Sequence, residues 1–320
     1  MNPVKKFLMS GMIIGLLLTV GWGRVDAASA KIPLSAKPAN GMVASYQRLE
    51  SRFLPAGVTM YQIEYWSQNV KVEALLTEPS KSGAYPLLVN LHGGYLVGYF
   101  HDNFGYTPLV AAELASASAI ELYPEYQGYL GSPGPTAGVR TDFINIQDAM
   151  KIAGEFGDVK THDTYVIGYS LGGGLALMTA GWDHQVRAVV AVSPWVGMRD
   201  LVGWIWAHPH TAIKEIPHSR QEAAYIRSHY GTNLSSPWYA QRSPNPAQIQ
   251  APVLLLQGTG DHHVLWQTVK LFDQQMKQDH RTVTLILYPG GHHGLHHQYA
   301  RASGLAIAQW FKRYGLNFRQ

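Results

Sequence analysis

The chain has 320 residues, 46% of them apolar and only 14% charged, which excludes a disordered chain and allows a substantial core. The net charge of +4 gives little support to a nucleic-acid partner, because Lys5, Lys6 and Arg24 against Asp26 carry half of it within the first 30 residues. The lack of any cysteine excludes a disulfide framework, a thiolate metal or iron–sulfur site, a cysteine nucleophile and a lipidated-cysteine anchor.

Residues 1–30 read as a signal peptide. Lys5 and Lys6 open it, an apolar core runs from Met12 to Val20, and Ala28-Ser29-Ala30 forms a small-residue cleavage site. The apolar run is shorter than the roughly 20 residues a bilayer crossing needs, so cleavage is expected rather than retention as an anchor. No later stretch approaches a membrane span. The mature protein is therefore expected to be secreted or extracytoplasmic, starting near Lys31, with cleavage after Ala27 as a second possibility.

Residues 31–60 carry Pro33, Pro38 and Pro55 with weak periodicity, and read as a lead-in with one helical stretch ahead of a domain over 61–320. Val70–Leu76 reads as a strand, and Leu87–Leu91 as a buried strand ending at His92-Gly93-Gly94. Pro108–Ser116 is helix-like, Ala119–Tyr123 is another buried strand, and a glycine-rich turn follows over Gly128–Gly134. Phe143, Ile146, Met150 and Ala153 recur at helical spacing. Tyr165–Ile167 is a strand running into Gly168-Tyr169-Ser170-Leu171-Gly172, then a helix with Leu171, Leu175 and Met178 on one face. Further strands are expected at Val186–Val192, Pro252–Leu256 and Val283–Leu287. Helices are expected through Leu265, Val269, Phe272 and Met276 and through Ile307, Trp310, Phe311 and Tyr314. Strands apolar on both faces, alternating with amphipathic helices, predict an α/β fold: a doubly wound, mostly parallel sheet.

The stretch of about 195–250 breaks this alternation. It holds Trp195, Trp204, Trp206 and Trp238, four of the nine tryptophans, and is far longer than an ordinary connection. It reads as a helical cap over the C-terminal edge of the sheet, where such folds bind ligands. The tryptophans can equally fill the core of the cap itself.

Gly168-x-Ser170-x-Gly172 has a strand before it and a helix after it, the context a nucleophile elbow requires. The chain must turn sharply there, and side chains at the flanking positions would collide with neighbouring elements. The following helix also directs free N–H groups at the charge that develops during acyl transfer. A serine needs a base, and the base an orienting carboxylate, which this fold supplies from loops after later strands in the order Ser, acid, His. Asp261 follows the strand over 252–256 among glycines. His292 and His293 follow the last strand, and spacing does not choose between them. The loop His92-Gly93-Gly94-Tyr95 suits the second oxyanion donor, the first being the N–H of Leu171. His92 itself reads as a structural hydrogen-bonding residue rather than a base.

With these residues in hand, the chain resembles an α/β-hydrolase and is most similar to the catalytic domain of the prolyl oligopeptidase family. The resemblance runs through Leu91-His92-Gly93-Gly94, Tyr126-Gln127-Gly128-Tyr129, Gly131-Ser132-Pro133-Gly134 and Gly168-Tyr169-Ser170-Leu171-Gly172-Gly173. It continues through Arg242-Ser243-Pro244, Ala251-Pro252-Val253, Gly258-Thr259-Gly260-Asp261 and Tyr288-Pro289-Gly290 to His293-Gly294. It implies Ser170 as nucleophile, Asp261 as acid and His293, which precedes a glycine, as base, with His292 the alternative. The family often has proline where this chain has Tyr95; proline has no N–H, so the resemblance implies Gly94 as the loop's donor. Leu171 stands where the family's peptidases carry tyrosine, and their N-terminal propeller has no counterpart in the short lead-in. Small esterases related to dienelactone hydrolase share most of these motifs.

The resemblance implies a serine hydrolase acting on a small-molecule ester or peptide substrate, without a cofactor, and the leader makes it a secreted one. Two other readings compete. His292, His293, His296 and His297 form an HHxxHH cluster, with His262 and His263 as further candidates, and two of them at i, i+4 on a helix have zinc spacing. No H-E-x-x-H pattern, cysteine or acidic third ligand accompanies them, so no metal is expected. A non-catalytic binding protein on this fold would show a broken triad, whereas Ser, Asp and His stand here in order.

Overall fold

A computed structural model describes residues 24–25, 32–98 and 101–317. Apart from Arg24 and Val25, the expected signal peptide lies outside the described residues. Ten strands form one sheet in the order β1-β2-β3-β4-β6-β5-β7-β8-β9-β10. They are β1 (Arg24–Val25), β2 (Val43–Leu49), β3 (Val58–Ser67), β4 (Val70–Pro79), β5 (Tyr85–Leu91), β6 (Ile120–Pro124), β7 (Val159–Tyr169), β8 (Val186–Val192), β9 (Val253–Gly258) and β10 (Val283–Tyr288). Strands β5 to β10 pair parallel throughout, while β1 to β4 form an antiparallel flank joined to β6.

The parallel half follows from its sequence. Alternate residues of β8 and β9 serve opposite faces: Val189, Ala191, Val253 and Leu255 join the larger core, and Val190, Val192, Leu254 and Leu256 the smaller. The larger core takes α2 (Val139–Phe156), α3 (Leu171–Trp182) and α8 (Trp266–Gln278) through residues such as Ile146, Leu175 and Phe272. The opposite face takes α9 (Ala300–Arg313) through Ile307, Trp310 and Phe311, and α1 (Pro108–Leu114) through Ala111 and Ala112. Leu265, expected within a helix, stands just before α8 as its N-cap residue.

The antiparallel flank corrects one expectation. The described residues 32–60 hold no helix; they hold β2 and the first residues of β3, paired from Val43↔Tyr65 to Leu49↔Met60. The alternation of buried Ile63, Tyr65 and Ser67 with less buried Gln62, Glu64 and Trp66 is a strand signal, and Met60 packs on the opposite face. Its return to β4 passes through Gln68 and Asn69, both left-handed (φ 50° and 64°), as a two-residue type I′ turn requires.

The cap is helical, as expected. It comprises α4 (Met198–Ala207), α5 (Pro209–Glu215), α6 (Ser219–Tyr230) and α7 (Pro237–Ala240). Ile205, Ala212 and Ala223 form its own small core together with Leu265 from the loop after β9. The tryptophans divide between roles. Trp195 joins the main core, Trp204 packs on the cap core, Trp238 stacks on Tyr230 at 4.0 Å, and Trp206 is exposed beneath the Arg227 guanidinium.

Candidate active site

Ser170 sits at the turn from β7 into α3 with φ 56° and ψ −120°, a region non-glycine residues rarely enter and that costs on the order of 1–3 kcal/mol. Backbone bonds hold it there. Its N–H donates to Val192 O at 3.0 Å, and its carbonyl accepts from Gly173 N and Trp195 N, both at 3.0 Å. The flanking glycines are required by close approach. A Cβ on Gly168 would stand 2.0 Å from Gly172 O, and one on Gly172 would stand 2.3 Å from Leu91 O and 2.4 Å from His92 O. The elbow is therefore wedged against the loop that follows β5. A Cβ on Gly93 would lie 3.3 Å from Ser170 Cβ, and one on Gly94 3.1 Å from Leu171 Cδ2.

Asp261 follows β9 and is buried. Its Oδ1 accepts from the backbone N–H groups of His263 (2.8 Å) and Val264 (2.9 Å), and its Oδ2 from Gln257 Nε2 (3.1 Å) and His293 Nδ1 (2.8 Å). Burial alone would raise its pKa, but the bond and the charge of His293 and the two backbone donors outweigh burial and hold it below the ordinary carboxylate value. A carboxylate fixed in this state keeps the proton of His293 on Nδ1 and leaves Nε2 as the atom able to take another.

The two histidine candidates part company here. His292 is exposed and turns its Nδ1 toward Gly260 O at 3.2 Å, whereas His293 is half-buried on Asp261. The loop bearing His293 is tied to the elbow through consecutive residues: Val192 O takes the Ser170 N–H, and Ser193 Oγ accepts the Gly294 N–H at 2.9 Å. The HHxxHH stretch does not form a helical face. Gly294 (φ 74°) interrupts the first of two short turns, 293–295 and 297–299, and extended His296 (ψ 173°) separates them, so His292/His296 and His293/His297 do not stand one helical turn apart. The His263 ring lies 4.9 Å from that of His293, and burial first, then the neighbouring His293, lowers the pKa of His263.

His92 is buried and makes structural contacts. Its Nε2 lies 3.1 Å from Glu125 Oε2, its Nδ1 donates to Gly93 O at 2.6 Å, and its ring stacks on Tyr126 at 4.0 Å. The next N–H of that loop, on Tyr95, is occupied: it donates to Tyr129 Oη at 2.7 Å.

Gln257, Ser193 and Glu125 did not emerge from the sequence. Gln257 carries the one weak signal, a polar side chain closing the apolar run Leu254-Leu255-Leu256.

Comparison with known families decides the assignment, since the prolyl oligopeptidase family model matches residues 139–317. The chain belongs to the prolyl oligopeptidase family. A curated relative, the uncharacterized peptidase YtmA of Bacillus subtilis (strain 168), is 27% identical over 259 residues, covering 80% of this chain and 94% of its own. Among solved structures, a putative dienelactone hydrolase from Klebsiella pneumoniae matches with a TM-score of 0.56 at 16% identity, over 80% of this chain and 99% of its own. The Pyrococcus horikoshii acylaminoacyl peptidase matches with a TM-score of 0.62 at 14% identity, over 86% of this chain but only 48% of the longer peptidase. An acetyl xylan esterase from Paenibacillus sp. R4 matches with a TM-score of 0.60 at 19% identity, over 84% and 88% of the two chains. The fold is that of the α/β-hydrolases, and this member of the prolyl oligopeptidase family is a serine hydrolase. Among its described residues no helix is long and apolar enough to cross a membrane.

Proposed function

We propose that the protein is an exported hydrolase that cleaves a carboxylic ester or a peptide amide through Ser170, His293 and Asp261. The contact between His293 Nδ1 and the anionic Asp261 carries this reading, because it fixes an imidazole in the tautomer a general base needs, on the loop bonded to the end of β8 beside Ser170. Ser170 Oγ attacks the substrate carbonyl and passes its proton to His293 Nε2. The N–H groups of Leu171, an unpaired donor at the start of α3, and of Gly94 receive the oxyanion, each worth about 10²–10³ in rate. Tyr95 N–H is already committed to Tyr129, which supports Gly94 as the loop's donor. Collapse of the tetrahedral adduct breaks the scissile bond and leaves an acyl-Ser170. The departing alcohol or amine takes the proton from His293, and water repeats the sequence to release the acid. The names of the relatives include both peptidases and esterases, so the leaving group is the quantity to measure.

The test is a fluorophosphonate probe together with a turnover panel of p-nitrophenyl esters against aminoacyl and prolyl amides. Wild type is expected to be labelled and to turn over part of the panel, Ser170→Ala to do neither while folded, and His292→Ala to behave as wild type. Labelling that persists in Ser170→Ala would move the nucleophile elsewhere. A loss confined to His292→Ala, with His293→Ala active, would exchange the base.

A further inference from the structure

The loop after β5 is held one peptide unit at a time. A trans peptide points its C=O and N–H in opposite directions. His92 Nδ1 bonds Gly93 O at 2.6 Å and so orients the Gly94 N–H of the same unit. The next unit carries the Tyr95 N–H, and a different element holds it: Tyr129, from the turn after β6, accepts that N–H at 2.7 Å.

Several observations converge on the Tyr129 hydroxyl. The residue is fully buried, and its ring packs on His92 (5.1 Å between centroids), Tyr126 (5.7 Å) and Tyr95 (6.2 Å), so its oxygen is fixed. A Cβ on Gly94 would stand 2.5 Å from this oxygen and 3.1 Å from Leu171 Cδ2, so Tyr129, Gly94 and the first residue of α3 meet at one point. Burial, with the Asp142 charge next, pushes the phenol pKa well up, so the group stays a neutral hydroxyl. Without it the part-buried Tyr95 N–H would lose the acceptor that Tyr129 provides, and an amide that loses its acceptor away from bulk water favours turning the peptide.

We propose that Tyr129 is a positioning residue for oxyanion binding: its Oη takes the Tyr95 N–H and thereby sets Gly94 opposite Leu171. This rests on the assignment of Gly94 and Leu171 as the donors. Tyr129 touches neither substrate nor nucleophile and acts through the loop alone.

The experiment combines Tyr129→Phe with Tyr95→Pro, which removes the N–H that needs the acceptor. Tyr129→Phe is expected to fold as wild type and lose about ten- to a hundredfold in kcat with KM within about twofold, the scale of a displaced catalytic contact. Its fluorophosphonate labelling should slow in parallel. In the Tyr95→Pro background the same substitution should change kcat by less than about twofold, because contacts that act as a unit are not additive. Unchanged kcat in folded Tyr129→Phe overturns the proposal, as do equal losses on both backgrounds. A variant that fails to fold, or whose KM moves with kcat, marks a merely structural tyrosine and overturns it as well. If Tyr95→Pro does not fold, the kcat-against-KM split in Tyr129→Phe decides alone. Wild type that resists the probe would remove the serine-hydrolase reading and this inference with it, and is thereby told apart from failure of the inference alone.

Discussion

A carboxylate inside a protein is costly unless donors surround it, and Asp261 has four. Asp261→Asn keeps an acceptor for the two backbone N–H groups but no longer dictates which nitrogen of His293 carries the proton. A fall in kcat of about 10⁴ is expected with the fold retained, the size known for loss of the tautomer. The same substitution has a stability signature. The folded state holds the Asp261 pKa below its ordinary value, so the ionised form stabilises the protein fully above about pH 4, and that contribution is lost as pH falls through the folded value. Thermal midpoints measured from pH 7 down to pH 3 should therefore fall less steeply for Asp261→Asn than for wild type; parallel curves would remove Asp261 as a source of acid sensitivity. The roles of the three triad candidates differ in how far the sequence exposed them. Ser170 and Asp261 stand in glycine-marked turns at predictable strand ends. Between His292 and His293 the sequence offers only the resemblance, through the glycine after His293; the contact of His293 with Asp261 and the bond of Gly294 to Ser193 join parts of the chain that adjacent sequence does not encode. Tyr129 belongs to a segment the family resemblance had marked, but its bond to Tyr95 joins parts of the chain that only folding brings together.

Among the elements, the elbow has the least tolerance. Gly172 lies beneath the backbone oxygens of Leu91 and His92, and a backbone cannot withdraw as a flexible side chain can. Gly172→Ala should force α3 away from the end of β5, abolish probe labelling, and lower the thermal midpoint by at least about 2 °C, given an overpacking cost of roughly 1–3 kcal/mol or more. A labelled variant of unchanged midpoint would mean that the loop yields. The parallel strands were legible because both of their faces are buried and their sequences are continuous apolar runs. The antiparallel flank was harder to see. In β2, Tyr46-Gln47-Arg48 mixes aromatic and charged groups, and only pairing with β3 shows it to be a strand. Strand β7 begins six residues before the expected Tyr165, with Val159, because its polar opening Lys160–Asp163 carries no apolar signal and includes His162 at φ 58°.

For the whole molecule, the cap and the Asp261 loop are one assembly: His262 Nδ1 donates to Glu215 O at 2.9 Å, and Gln267 Nε2 to Glu215 Oε1 at 2.6 Å. Its helical character was legible from length and aromatic content, but its attachment to this loop was not. The export proposal is tested at this scale as well. Full-length protein produced in a bacterium with a secretory pathway should appear outside the cytoplasmic membrane with an N-terminus at Lys31 or Ala28; an intact Met1 on the cytoplasmic side would refute it. The order of the three proposed catalytic groups along the chain has a consequence for biosynthesis. A ribosome delivers Ser170 and most of the sheet well before Asp261, and His293 emerges only after β10, the outermost strand, has been made. A copy that stops before β10 would therefore present a serine without its partners, and hydrolysis would have to wait for the segment that carries His293.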